Sequence, residues 1–137
     1  MSSNHLKRLA MPRSWPLPRK TSVWVTRPTP GAHSLEHCMP ITLVLRDVLN
    51  VAKTAREVRF ILHNELAKID GRVVKDTRRG VGLMDVLTLG EQNYRCVLDH
   101  KGRLQYRLIG ADEASWKVCR IEGKTTIKGG KTQLNLH

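Results

Sequence analysis

Between Thr54 and Leu89 the cations fall at spacings that suit a row of phosphates. Arg56, Arg59 and His63 stand three and four residues apart, so on a helix they cluster within about 60° of one another. Lys68, Arg72 and Lys75 flank Asp70-Gly71, and Arg78 and Arg79 follow. Guanidinium forks match phosphate oxygens in pairs, and ammonium groups add point charges. A charged outer face is usually only a solvated face, but here the segment after the helix repeats the sign. The whole chain agrees: 24 Lys+Arg against 12 Asp+Glu in 137 residues, a formal charge of +12. Such a charge draws a polyanion by counterion release and steers its approach. The excess is spread over the length, with six Lys/Arg and one acid in 1–41, nine and six in 42–90, and nine and five in 91–137.

Bond-making chemistry has no comparable signal. The sequence contains neither a GxxxxGK[ST] phosphate loop nor a GxSxG elbow. Gly80-Val81-Gly82 reads as a turn. His33, His37 and Cys38 form the densest metal-like group, but a fourth ligand is missing nearby, and Pro30-Gly31 and Pro40 argue against a helix there. Glu57 reads as a cap, and Asp70 and Asp99 as turn residues, without partners for acid–base work. No enzyme, cofactor, metal or small-molecule substrate is expected. Cys38, Cys96 and Cys119 are odd in number and scattered, which suits a reducing compartment. No apolar run approaches a membrane span, and no apolar region follows the basic N-terminus as in a secretory signal. The acid-free start up to Glu36 has the charge of a mitochondrial presequence, but Pro12, Pro16 and Pro18 would break its helix. A cytoplasmic location is expected.

The elements that must position the cations are legible. All six prolines lie in residues 1–40, so this stretch reads as an extended basic arm that neither helices nor pairs extensively. It is expected to be disordered when free and ordered on a partner. Lys7, Arg8, Arg13, Arg19 and Lys20 are its candidate phosphate contacts. Trp15 and Trp24 among these cations suit stacking on bases or riboses, or packing on the following domain. Next, Thr42 is placed to cap a short helix with the stripe Leu45, Val48, Leu49 and Ala52. Lys53 precedes a second helix capped by Thr54 and Glu57, with Ala55, Val58, Ile61 and Leu62 facing the core. Asp70-Gly71 predicts a two-residue hairpin turn pairing Ile69 with Arg72, Lys68 with Val73 and Leu66 with Lys75. Val86–Leu89 adds a strand. From Asn93 onward strands are expected throughout: 93–98 and 103–109 around the turn 99–102, an alternating run from Trp116, and 131–136 after Gly129-Gly130. In the second of these Leu104, Tyr106 and Leu108 should face inward. The reading is α+β: an arm over 1–40, a small domain of two short helices and a hairpin sheet over 41–91, and an antiparallel β-rich unit over 92–137.

The opening His5-Leu6-Lys7-Arg8, the step Pro12-x-x-Trp15 and the run Ile127-Lys128-Gly129-Gly130-Lys131 together resemble the archaeal and eukaryotic S4e family of small-subunit ribosomal proteins. Residues 41–90 alone resemble the wider alpha-L RNA-binding domain, shared with bacterial ribosomal proteins, some tRNA synthetases and pseudouridine synthases. The resemblance implies an arm, an alpha-L domain, a central β-domain and a C-terminal SH3-like barrel. The barrel is unmatched, and the chain reads as a truncated or incomplete copy. By resemblance the RNA face carries Arg56, Arg59, Lys68, Lys75 and Arg79. The implied partners are small-subunit ribosomal RNA and neighbouring ribosomal proteins, within the ribosome. Two other readings stay open: an RNA-binding accessory of an RNA-modifying or tRNA-handling enzyme, and a free-standing ribosome-associated factor.

Overall fold

The computed structural model describes residues 4–137. Its N-terminal segment has no long element, as six prolines dictate, yet it is anchored at several points. β1 (Leu6–Lys7) and β2 (Trp24–Val25) pair antiparallel, with Leu6 opposite Val25 and Lys7 opposite Trp24. Met11, Trp15 and Val25 are part of the main core, and Leu6 and Leu17 pack against it. Trp15 is only 2% exposed, and its indole N–H donates to the Cys38 carbonyl at 2.8 Å. The Ser14 carbonyl accepts from the Leu104 amide at 2.7 Å. Of the two readings left open for the tryptophans, packing on the following domain holds for Trp15, while Trp24 stays exposed. A segment without apolar periodicity can still lodge single side chains in a core built by others.

β3 (Cys38–Pro40) leads into α1 (Ile41–Leu43), which passes into a wider π turn over Val44–Val48. The Leu49 amide donates to the Val44 carbonyl at 2.9 Å, five residues back. The Leu45 carbonyl then accepts from both Val51 and Ala52, and Asn50 adopts a positive φ of 53°. The extra residue in the turn breaks the 3.6-residue phase. Hence Ile41, Leu43, Val44 and Leu45 are all fully buried, whereas Val48 and Leu49 of the expected stripe are only partly so. Nor is Thr42 a cap: it is buried, and its hydroxyl donates to the Thr77 carbonyl at 2.6 Å.

α2 (Ala55–His63) begins as its sequence dictates. The Thr54 hydroxyl accepts from the Glu57 amide at 3.2 Å, and the Glu57 carboxylate accepts from the Lys53 amide at 2.6 Å, one residue ahead of a standard capping box. Val58 and Leu62 are buried, and Ala55 and Ile61 are half-buried. The hairpin β4 (Ala67–Ile69) and β5 (Arg72–Val73) turns at Asp70-Gly71, both at positive φ, 49° and 77°. Two adjacent left-handed residues make a type I′ turn. Lys68 pairs with Val73 and Ile69 with Arg72, and the Val74 amide reaches the Ala67 carbonyl. Leu66 and Lys75 do not extend the ladder. The Leu66 carbonyl is taken by the Gly90 amide, and Lys75 forms an ion pair with Glu65 at 2.9 Å.

β6 (Gly80–Gly82) returns to pair with β3. β7 (Val86–Leu89), β8 (Gln92–Leu98) and β9 (Leu104–Ile109) extend the hairpin into one antiparallel sheet of order β5-β4-β7-β8-β9. The boundary placed at 91–92 thus falls in a turn within a continuous sheet. Leu104 and Tyr106 face the core, but Leu108 is 65% exposed on the edge strand. The strand expected from Trp116 is absent. α3 (Ala111–Ala114) precedes it, and the carbonyls of Glu113 and Trp116 accept from the buried Arg95 guanidinium at 2.5 and 2.7 Å. Arg95 also lies over the Trp116 ring, 4.5 Å from its centre. Carbonyls engaged by a side chain do not build a ladder. β10 (Ile121–Thr126) and β11 (Thr132–Leu136) form a separate hairpin around Gly129-Gly130, both at positive φ. No helix among the described residues is long and apolar enough to cross a membrane.

Replacing Trp15 by Ala removes a core indole and its hydrogen bond. The expected cost is about 3–5 kcal/mol in a urea titration, where a truly detached arm would show almost none.

Candidate nucleic-acid interface

The phase of α2 decides which of its side chains meet solvent. Val58 and Leu62 point to the core, and the opposite arc carries Arg56, Arg59, Phe60 and His63, all exposed. Neither Arg56 nor Arg59 has a hydrogen-bond or ion-pair partner among the described residues. Their donors are therefore available. The end of this arc meets the segment after the hairpin: Arg59, Phe60, His63 and Lys75 line one shallow depression of about 440 Å³. Lys75 is held there by Glu65, and this exposed ion pair lowers the Glu65 pKa through the hydrogen bond and charge of Lys75. Lys53, Lys68 and Arg72 are exposed on the same segment of chain.

Beside the hairpin lies a larger cleft of about 570 Å³, to which Arg72, Lys75, Arg79 and Lys117 contribute together with Asp70 and Asp85. Its cations are not equivalent. Arg79 is exposed, with its guanidinium close to Gly31. Arg78 is half-buried, its Nε donating to the Arg27 carbonyl at 3.1 Å.

Within the N-terminal segment the candidates divide the same way. Lys7, Arg13 and Lys20 are exposed. Arg8 is 8% exposed and is spent internally, donating to the Pro18 carbonyl at 2.5 Å and to the Ser22 hydroxyl at 3.3 Å. Arg19 donates to the Leu9 carbonyl at 3.0 Å. Trp15 is enclosed, so its faces are closed to a base, whereas Trp24 is exposed against His5, with ring centres 5.5 Å apart. Arg8 and Trp15 are thereby structural in this fold, not surface contacts.

Sequence reasoning missed the most connected polar group. The Asp85 side chain is only 4% exposed. Its carboxylate accepts from the Gly82 amide at 2.8 Å, from Lys117 at 2.5 Å, and pairs with His33 at 3.0 Å. Lys117 also binds Asp70 at 2.9 Å, and the other Asp70 oxygen accepts from the Val86 amide. Burial pushes the Asp85 pKa up, but the hydrogen bonds from His33, Lys117 and Gly82 outweigh it and hold the carboxyl below its ordinary value. Gly82 has no alternative, since a β-carbon there would collide with the His33 ring. His37 pairs with the Ser34 hydroxyl at 2.9 Å. Burial raises the Cys38 thiol to about 11. His33 and His37 thus have separate partners, and Cys38 is buried. The side-chain partners of Asp85 lie 52 and 32 residues away, a separation that leaves no local sequence signal.

Comparison with known proteins bears on what this surface is for. The model of the RS4NT (NUC023) domain matches residues 2–36, and that of the ribosomal family S4e matches residues 90–137. Small ribosomal subunit protein eS4 of Methanocella arvoryzae is 48% identical over all of this chain. The chain belongs to the S4e family of ribosomal proteins. The eS4 protein of Nanoarchaeum equitans is 46% identical over 96% of the chain. The crystal structure of the 30S ribosomal protein S4e from Thermoplasma acidophilum is 31% identical, with a TM-score of 0.61 over 74% of this chain and 53% of that one. The S4e chain described here spans 58% of the length of each of those two eS4 relatives.

In this S4e chain Asp85→Asn leaves Lys117 and His33 without their buried anion. The expected loss is roughly 3 kcal/mol at neutral pH. Because the folded pKa is depressed, the Asp85 contribution is present above its ordinary value of 3.8 and disappears as pH falls toward the lowered one. Urea midpoints measured from pH 6 down to pH 3 should therefore fall more steeply for the parent chain than for the variant.

Proposed function

We propose that this chain is a non-catalytic structural constituent of the small ribosomal subunit in the cytoplasm, binding ribosomal RNA through the outer face of α2, the adjoining hairpin and exposed cations of its N-terminal segment. Neighbouring ribosomal proteins complete its surroundings. One observation carries the reading: in an S4e-family chain, the unpaired guanidinium of Arg59 and the ammonium of Lys75 share one depression, with the unpaired Arg56 exposed on the same face of α2. Helix and hairpin come together because Val58 and Leu62 bury against the same core as Ala67 and Ile69. The cations on their outer sides then meet successive phosphates along a strand. Phosphate contacts of this kind fix position and register, and supply an affinity that falls with salt. Likeness to eS4 proteins along the whole chain supports the structural reading over the accessory-domain one.

Arg56→Gln with Arg59→Gln removes two free guanidiniums without touching the buried stripe. Folding should change by no more than about 0.5 kcal/mol per site. Affinity for folded small-subunit RNA should fall, and the slope of log K against log salt should shrink by roughly two. The control is Lys101→Gln with Lys124→Gln, two exposed lysines of the β-rich part. Lys117 is unsuitable as a control because it is bound to Asp85 and Asp70. Equal weakening by both double variants would show that net charge alone governs binding and that the edge has no special role.

A further inference from the structure

Phe60 is the only phenylalanine of the chain, and it is 65% exposed. At about 100° per residue its direction lies roughly opposite the mean direction of Ala55, Val58, Ile61 and Leu62. It thus occupies the most solvent-directed position of α2. A phenyl ring there gains almost nothing from folding, and Phe is a weaker helix former than the Lys, Arg or Glu that commonly occupy such sites. Its surroundings are cationic. Arg56 is one turn away at i−4, and Arg59, His63 and Lys75 share its depression. The depression is shallow and open, so it does not enclose a small molecule. Its chemistry is a flat apolar face rimmed by basic side chains, one of which, Lys75, is paired with Glu65 at the surface.

We propose that Phe60 is a stacking platform for one unpaired base of the bound RNA, held in place by phosphate contacts from Arg59 and Lys75 on either side. The proposal rests on the RNA-binding reading above and adds to it a preference for RNA with an extruded or looped base. A paired base offers no free face to the ring, whereas an unstacked base offers one and its flanking phosphates meet the rim. Charge complementarity selects nucleic acid over an apolar protein segment, because an apolar partner would desolvate the three cationic or imidazole groups around the ring without compensating them. The stacking is tolerant of base identity, since every base has a π-face.

Two RNA hairpins separate the effects: one with a single bulged adenine, and the same hairpin without the bulge. The full chain should bind the bulged form more tightly. Phe60→Ala should weaken that binding by roughly tenfold, leave the bulge-free hairpin almost unaffected, and keep the salt slope unchanged because no phosphate contact is lost. Phe60→Tyr should retain the preference, and Phe60→Leu, apolar without a π-face, should lose it. Thermal melts of the variants should match the parent, since the ring is exposed. Equal losses on both hairpins, full activity of Phe60→Leu, or unchanged binding by Phe60→Ala would each overturn the stacking role. So would unchanged RNA binding accompanied by lost co-sedimentation with small subunits, which would assign Phe60 to a protein contact. The two readings fail separately. If Arg56→Gln with Arg59→Gln weakens binding and Phe60→Ala does not, only the platform is wrong. If the arginine variant binds as the parent does, the cationic edge itself is wrong.

Discussion

A buried carboxylate ties together parts of this chain that local structure leaves apart. Asp85 sits where the N-terminal segment, the turn between β6 and β7, and the irregular stretch after α3 meet. Removing such a charge from water is costly unless several donors replace the solvent. Here three donors do so, from His33, Gly82 and Lys117, and each comes from a different place along the chain. Lys117 then reaches Asp70 in the hairpin turn. The hairpin that carries Lys68, Arg72 and the approach to Lys75 is therefore fastened at its tip as well as along its ladder. A hairpin held at both places has less conformational entropy left to lose on binding a partner.

The same economy explains how a chain of formal charge +12 sorts its cations. Some are internal fasteners. Arg8 holds the N-terminal segment through carbonyl and hydroxyl acceptors, Arg95 collects the carbonyls around α3, and Lys117 neutralises Asp85. Others have no internal duty: Arg56 and Arg59 stand free on the outer arc of α2. Fasteners are found beside buried acceptors, and free cations are found opposite the buried stripe of an amphipathic helix. A count of basic residues cannot separate the two groups.

Much of the site was written in local sequence. Thr54 and Glu57 set the start of α2, its apolar spacing set the inward arc, and so the outward direction of Arg56 and Arg59 followed from 3.6-residue geometry alone. Asp70-Gly71 set the turn type and, through it, the pairing of Lys68 with Val73 and Ile69 with Arg72. The strands expected over 93–98 and 103–109, flanking the turn 99–102, form over Gln92–Leu98 and Leu104–Ile109. These features depend on neighbours a few residues apart, which is the range over which dihedral preference and side-chain period act.

What tertiary structure decided lay beyond that range. Trp15 has no periodic company, and only the space left beside Cys38 and the strand from Leu104 makes it a core residue instead of a surface platform. The π turn after α1 arises where Ile41, Leu43, Val44 and Leu45 are enclosed on all sides, so no amphipathic stripe records it. The run from Trp116 has the alternation of a strand, but Arg95 captures its first carbonyl from 21 residues away. Asp85 looks like any acid ahead of a strand until His33 and Lys117 arrive from distant segments. The sequence by itself thus determined the helix face, the hairpin and their charge, because those are set by local geometry. Which cations remain free, and which aromatic rings remain open, was decided only by contacts between residues far apart in the chain.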